Sequence, residues 1–142
     1  MMRSRQLHYR RIVARVRRGT ATVELAVCLP VLLILFAGAM ELSRATMVKQ
    51  ATVEAAYAAA REISRPGGQE AAALEICQDL LRQKGIVGSR VTFVPPQAAA
   101  ASPGTIVTVT VFTPCQDNAW VFDKMLASRS LEAQVSMAKE GR

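Results

Sequence analysis

The chain has 142 residues, of which 51% are hydrophobic but only 5% aromatic, and its formal net charge is +7. All of the excess positive charge lies in residues 1–18, which contain seven arginines and no acidic residue. Because no aromatic-studded basic face accompanies these arginines, the charge argues against nucleic-acid binding. Arginines that precede an apolar segment are instead typical of the cytoplasmic flank of a membrane span, where they also contact anionic lipid.

Residues 1–19 form this basic leader, which we expect in the cytoplasm and without a fold of its own. The leader has no long apolar periodicity, and His8, the chain's single histidine, is expected to be solvated there. One histidine among arginines does not make a metal site, because such sites need several ligands. We therefore expect no bound metal, and no pattern in the chain indicates a cofactor.

Residues 20–41 are predicted to form a single transmembrane helix. From Thr20 to Met40 the only charged side chain is that of Glu24. A helix of this length rises roughly 31 Å, about the thickness of one hydrocarbon core. Pro30 lies inside it and predicts a local kink. By the distribution of arginines, the N-terminus stays in the cytoplasm and residues 42–142 are exported.

The helix is predicted to continue beyond the span, because residues 42–64 contain neither proline nor glycine and are rich in alanine. Glu41 and Arg44 are three residues apart and can pair on one face. A stripe of small and apolar residues predicts close packing, either inside this chain or against another subunit. The stripe consists of Val48, Ala51, Ala55, Ala59 and Ile63. Arg65–Gly68 (R-P-G-G) should end the helix.

The rest of the exported part is predicted to be a second helix followed by strands. A turn or loop is predicted at Gln97–Gly104, and a short helix or a wide loop is predicted at Asp117–Ala127. The predicted order suits an α+β arrangement, with a small antiparallel sheet packed on the long helix. The predicted elements are a helix at Glu70–Lys84 and strands at Arg90–Val94, Thr105–Thr113 and Ser130–Ala138.

Two of the three cysteines lie in the exported part, where oxidation is possible. Cys77 shares the apolar face of the second helix with Leu74 and Leu81, and Cys115 follows the clearest strand. If that helix packs on that sheet, the two cysteines can meet in a disulfide. The alternative is two separately buried thiols, and the sequence alone does not decide between them.

The start of the span resembles a type IV prepilin N-terminus. Gly19 is followed by T-A-T-V-E and then by the apolar run, so Glu24 is the fifth residue after the glycine. The resemblance implies that a prepilin peptidase cuts between Gly19 and Thr20. A carboxylate at the bilayer edge is costly without a partner, and the freed α-amine of a neighbouring subunit would be a suitable one.

The longer pattern over residues 17–63 resembles the TadE-like family, which consists of small pseudopilin-like proteins of tight-adherence (Tad, Flp-type) pilus assembly. Cys28 departs from the usual aliphatic residue, and residues 64–142 match no family pattern. The resemblance implies a minor pseudopilin of the bacterial inner membrane. It also implies pilus-assembly partners and homo- or hetero-oligomers formed through the transmembrane helix. The matching features are Gly19, Val23-Glu24, Pro30, Glu41, Arg44, Gln50 and the alanine-rich stretch to Arg61. Of these, the resemblance implies a role in assembly for Glu24, Pro30, Glu41 and Arg44.

No catalytic constellation is evident, and isolated carboxylates such as Asp79, Asp117, Asp123 and Glu132 are expected at the surface. We therefore expect a structural or assembly protein and no enzyme. One alternative is a secreted protein whose signal peptide is cleaved after Ala39, in the A-x-A pattern of residues 37–39. Glu24, Pro30 and the uninterrupted helix argue against it. A second alternative is a generic membrane-anchored interaction protein.

Overall fold

The structure, a computed structural model, describes the backbone of residues 3–120, 124 and 128–141, with side chains from residue 20 onward. Within these ranges the chain forms two helices and three strands. Short 3-10 turns lie at Ala98–Ala100 and Gln116–Asn118. The predicted α+β class is therefore confirmed. The elements are α1 (Arg3–Ser64), α2 (Glu70–Gln83), β1 (Arg90–Val94), β2 (Ile106–Pro114) and β3 (Ser130–Ala138).

The chain divides into two compact units, Met1–Met40 and Glu41–Arg142. In the first unit, α1 begins at Arg3, so the leader is helical from that residue on and continuous with the apolar segment. Arginine is a good helix former, and the single Gly19 weakens a helix by only about 1 kcal/mol relative to alanine. Pro30 lies inside α1 without ending it. The kink there stays a prediction.

The side chains of residues 20–36 are all exposed in this unit. Leu25, Ile34 and Phe36 keep 61%, 67% and 65% of their surface accessible. Among the described residues, one helix is long and apolar enough to cross a membrane, and none of its most apolar window is buried. Because water disfavours such a surface, it is compatible with a helix that is anchored in a membrane.

The second unit is built around the alanine-rich part of α1. The predicted stripe is buried, and it packs inside this chain against α2 and the inner face of the sheet. Alanine at these positions lets the backbones approach closely, which suits a unit with few aromatic residues. The core partners are Ala73, Cys77 and Leu81 of α2 and Val107, Val109 and Val111 of β2.

The sheet is antiparallel in the order β1-β2-β3. β2 is the central strand, with Val111 opposite Val91 on β1 and Val109 opposite Val135 on β3. β3 follows α1 along the unit, because Lys49 donates to the carbonyl of Glu132 and Lys139 reaches the carbonyl of Ile63. The three strands were predicted within a residue of their observed bounds. Residues 121–123 and 125–127 of the predicted helix or loop lie outside the described residues.

The end of α1 is closed by the residues that follow β3. The buried Lys139 ammonium donates to the carbonyls of Ile63 (2.6 Å) and Arg65 (3.4 Å), and the Glu140 N–H donates to Ser64 (2.8 Å). The last carbonyls of a helix lack intrahelical partners and carry partial negative charge, so a lysine there is favourable. Lys139 thus fixes the end of β3 to the end of α1.

Replacing Lys139 by Met keeps the length of the side chain and removes the donor. We expect the second unit to lose about 1–3 kcal/mol of unfolding free energy, because two buried carbonyls lose their partner. Lys84→Met, at an exposed lysine, should change it by less than about 0.5 kcal/mol. Urea unfolding of the detergent-solubilised chain, followed by circular dichroism, measures both. Equal losses in the two variants would show that Lys139 does not cap α1.

Candidate functional site

Four of the predicted site residues lie on α1 in the first unit. Thr20 and Glu24 are exposed and one helical turn apart, and Pro30 is exposed farther along the apolar segment. The Gly19–Thr20 bond lies within the helix. A peptidase that cuts there has to open the helix locally, and glycine is the residue at which opening costs least.

Glu41 and Arg44, by contrast, are buried in the second unit, with 7% and 9% of their surface accessible. A Glu41 carboxylate oxygen accepts a hydrogen bond from the backbone N–H of Trp120 at 3.2 Å. The Arg44 guanidinium donates to the carbonyls of Asn118 at 3.1 Å and Gly85 at 3.3 Å. From the sequence these two side chains can pair on one helix face and are expected to act in assembly, and both expectations stay predictions. The structure adds a role that sequence reasoning missed, since both hold the backbone of distant loops.

Trp120 completes this arrangement, because the centre of its ring lies 5.5 Å from the Arg44 guanidinium. That distance is within the range of a cation–π contact. Even so, 61% of the Trp120 surface is exposed. We call Glu41, Arg44, Asn118 and Trp120 the loop clasp. It ties the segment after β2 to the first turn of α1 beyond the apolar span.

Asn118 is the buried centre of the clasp. Its side-chain oxygen accepts from the Val87 N–H at 3.0 Å, and its amide donates to the carbonyls of Val87 (3.0 Å) and Pro114 (2.8 Å). Gly88 has a φ of +73° and packs against the segment that follows β2. A Cβ on this residue would come within 3.0 Å of both Pro114 and Asp117. No periodic pattern in the sequence indicated Asn118, because a loop residue is recognised only by its partners in the folded chain.

A cavity of about 440 Å³ opens beside the clasp. Its walls are mainly apolar, with Glu41 and Arg129 as the charged residues among them. Across the described residues, no group of three His, Cys, Asp or Glu side chains is arranged to hold a metal ion. The arrangement positions loops, and its hydrogen bonds go to backbone groups that are not reactive.

The predicted bridge between Cys77 and Cys115 is not formed in the structure, where both are free thiols. Cys77 is fully buried between α2 and the sheet. Cys115 lines the cavity beside Glu41, together with residues of the segments that follow β2 and precede β3. Burial raises the pKa of Cys77 to about 11. Burial also raises the pKa of Cys115, with Arg129 lowering it and Glu41 raising it.

A family model described as TadE-like protein matches residues 19–61. The resemblance predicted from the sequence is therefore confirmed over that segment, which is under a third of the chain. The match covers the exposed apolar helix, Glu24, Glu41, Arg44 and the buried alanine stripe, and it indicates a function related to Tad pili. No curated protein and no solved structure matches the chain.

Replacing Arg44 by Ala removes two hydrogen bonds to loop carbonyls and the contact with Trp120. We expect the second unit to lose about 1–3 kcal/mol of unfolding free energy. Arg61→Ala, at an exposed position of the same helix, should change it by less than about 0.5 kcal/mol. Chemical unfolding in detergent gives both values. If the Arg44 variant were as stable as the Arg61 variant, the contacts of Arg44 in the clasp would not stabilise the second unit.

The two thiols of the second unit should differ in reactivity. A raised pKa keeps a thiol protonated at neutral pH, and the thiolate is the form that reacts. We expect a water-soluble maleimide to label Cys115 at least about tenfold faster than Cys77, which is shielded as well as protonated. Mass spectrometry of the folded chain measures the two rates, and Cys115→Ser confirms the assignment. After unfolding without reductant, three thiols should react, whereas a single thiol would show a disulfide.

Proposed function

We propose that this chain is a non-enzymatic, single-pass membrane protein of pilus biogenesis. In this proposal it is a TadE-like minor pseudopilin that helps to assemble a tight-adherence pilus. The observation that carries the proposal is the coincidence of the family match with an apolar helix that nothing in the described chain covers. TadE-like proteins are not an enzyme family, which supports a structural role.

The proposed orientation has the leader in the cytoplasm, the apolar segment in the inner membrane, and residues 42–142 outside. The arginines before the span support it, because cytoplasmic flanks carry the excess of lysine and arginine. Glu24 would then lie near the cytoplasmic edge of the bilayer, exposed on α1. There it can pair with the α-amine of a neighbouring subunit and set the register of an assembly.

The signal-peptide alternative fits this geometry less well. Residues 37–39 lie inside α1, and signal peptidase acts on an extended chain. Glu41, two residues farther on, is buried and bonded to Trp120. A generic membrane anchor shares the apolar helix but does not explain the pattern of Gly19 and Glu24.

N-terminal sequencing of the protein extracted from membranes separates the three possibilities. A prepilin peptidase leaves Thr20 as the first residue, a signal peptidase leaves Met40, and an unprocessed anchor begins at Met1 or Met2. We expect Thr20. Gly19→Leu should then block the cut, because it replaces the residue directly before the bond that the peptidase cleaves. A start at Met40 would contradict the proposed function.

Glu24 is proposed to act in assembly and to be unnecessary for folding or insertion. Glu24→Ala should therefore reach the membrane at the wild-type level and lower piliation by at least about tenfold, because a paired charge is lost inside the bilayer edge. Glu75→Ala, at an exposed glutamate of α2, is the matched control and should assemble normally. Pilus counts and membrane fractionation give the two results. Normal piliation in the Glu24 variant would falsify this role.

A further inference from the structure

The loop clasp begins at the residue that follows the apolar segment. Glu41 is bonded to Met40, the last residue of that segment, and Arg44 follows one turn later. Four residues of helix rise about 6 Å. The polar layer on each side of a bilayer is about 5–8 Å thick, so Glu41 and Arg44 fall within it when residues 20–40 span the hydrocarbon.

The clasp holds Trp120 at the same level. The backbone N–H of Trp120 donates to the Glu41 carboxylate, and the Arg44 guanidinium lies over the Trp120 ring. Both the backbone and the side chain of Trp120 are therefore held at the first turn of α1 beyond the span. Trp120 keeps 61% of its surface exposed, and Leu42, one residue beyond Glu41 on α1, keeps 70%. Large apolar surface is therefore exposed at the level of the clasp.

We propose that Trp120 is an interfacial anchor, held by the loop clasp in the head-group layer of the outer leaflet. This inference depends on the single-pass topology of the proposed function. Tryptophan prefers this layer because its ring is apolar while its indole N–H still finds a partner. Arg44 beside it places a cation at the level of the lipid phosphates.

Anchoring would fix the depth of the first helical turn beyond the span. The clasp joins the anchor to that turn of α1 through hydrogen bonds at 3.1 and 3.2 Å rather than through a long linker. A partner protein covering the ring, or a ring left in water, are the two competing arrangements, and the experiment distinguishes both from lipid.

The chain contains a single tryptophan, so its fluorescence reports this site alone. The full chain is reconstituted in vesicles of phosphatidylcholine and phosphatidylglycerol. These carry a quenching spin label either on the head group or at the end of the acyl chain. We expect the head-group label to quench Trp120 at least about twofold more than the chain-end label, and lipid insertion to protect it from aqueous iodide.

A matched control moves the tryptophan away from the bilayer. Trp120→Phe combined with Gln69→Trp places it beside Gly68 and Glu62, about 27 Å farther along α1 than Arg44. That variant should be quenched by iodide and unaffected by the head-group label. In the wild-type chain, strong iodide quenching without head-group quenching would overturn the anchor, as would stronger chain-end quenching or a ring protected from every quencher.

Carbonate extraction separates this inference from the proposed function. If the chain stays in the membrane after extraction while Trp120 proves aqueous, the anchor is wrong and the single-pass topology stands. If carbonate releases the chain, the topology itself fails, and the anchor fails with it.

Discussion

The exposed apolar surface of α1 between Val23 and Phe36 is the constraint on which the rest of this protein depends. Ten large apolar side chains in that stretch are exposed. At about 1.5–3 kcal/mol for each, leaving them in water costs on the order of 20 kcal/mol. Covering this surface with lipid or with other helices would recover that free energy. The surface is therefore compatible with membrane anchoring, which agrees with its match to the TadE-like family.

The second unit uses the same helix as its central packing element. Alanines bring α2 and the sheet close to α1, and three polar contacts fix the unit along its length: the loop clasp, Lys49 and Lys139. Two of these contacts use residues of the family match, since Arg44 and Lys49 lie within residues 19–61. The packing of the second unit thus begins at the first polar turn of α1 after the span. The partners of Arg44 and Lys49 in these contacts lie outside the family match.

The sequence predicted the elements whose signals are local. The 21-residue apolar run, the alanine stripe and the alternation of β2 depend on periodicity, and each lies where it was expected. The disulfide and the role of Glu41 and Arg44 depend on which distant residues meet. Cys77 and Cys115 share no local pattern, and the partners of Arg44 are backbone carbonyls 41 and 74 residues away. Every residue carries a backbone carbonyl, so neither composition nor spacing indicates which of them Arg44 binds. Its hydrogen bonds could therefore not be predicted from the sequence.

Paired reporter fusions at the C-terminus test the proposed topology most directly. One fusion carries alkaline phosphatase, which is active only after export, and the other carries a fluorescent protein that matures only in the cytoplasm. With seven arginines before a single span, the phosphatase fusion should be active and the fluorescent fusion dark. An inactive phosphatase with a bright fluorescent fusion would place residues 42–142 in the cytoplasm and contradict this account.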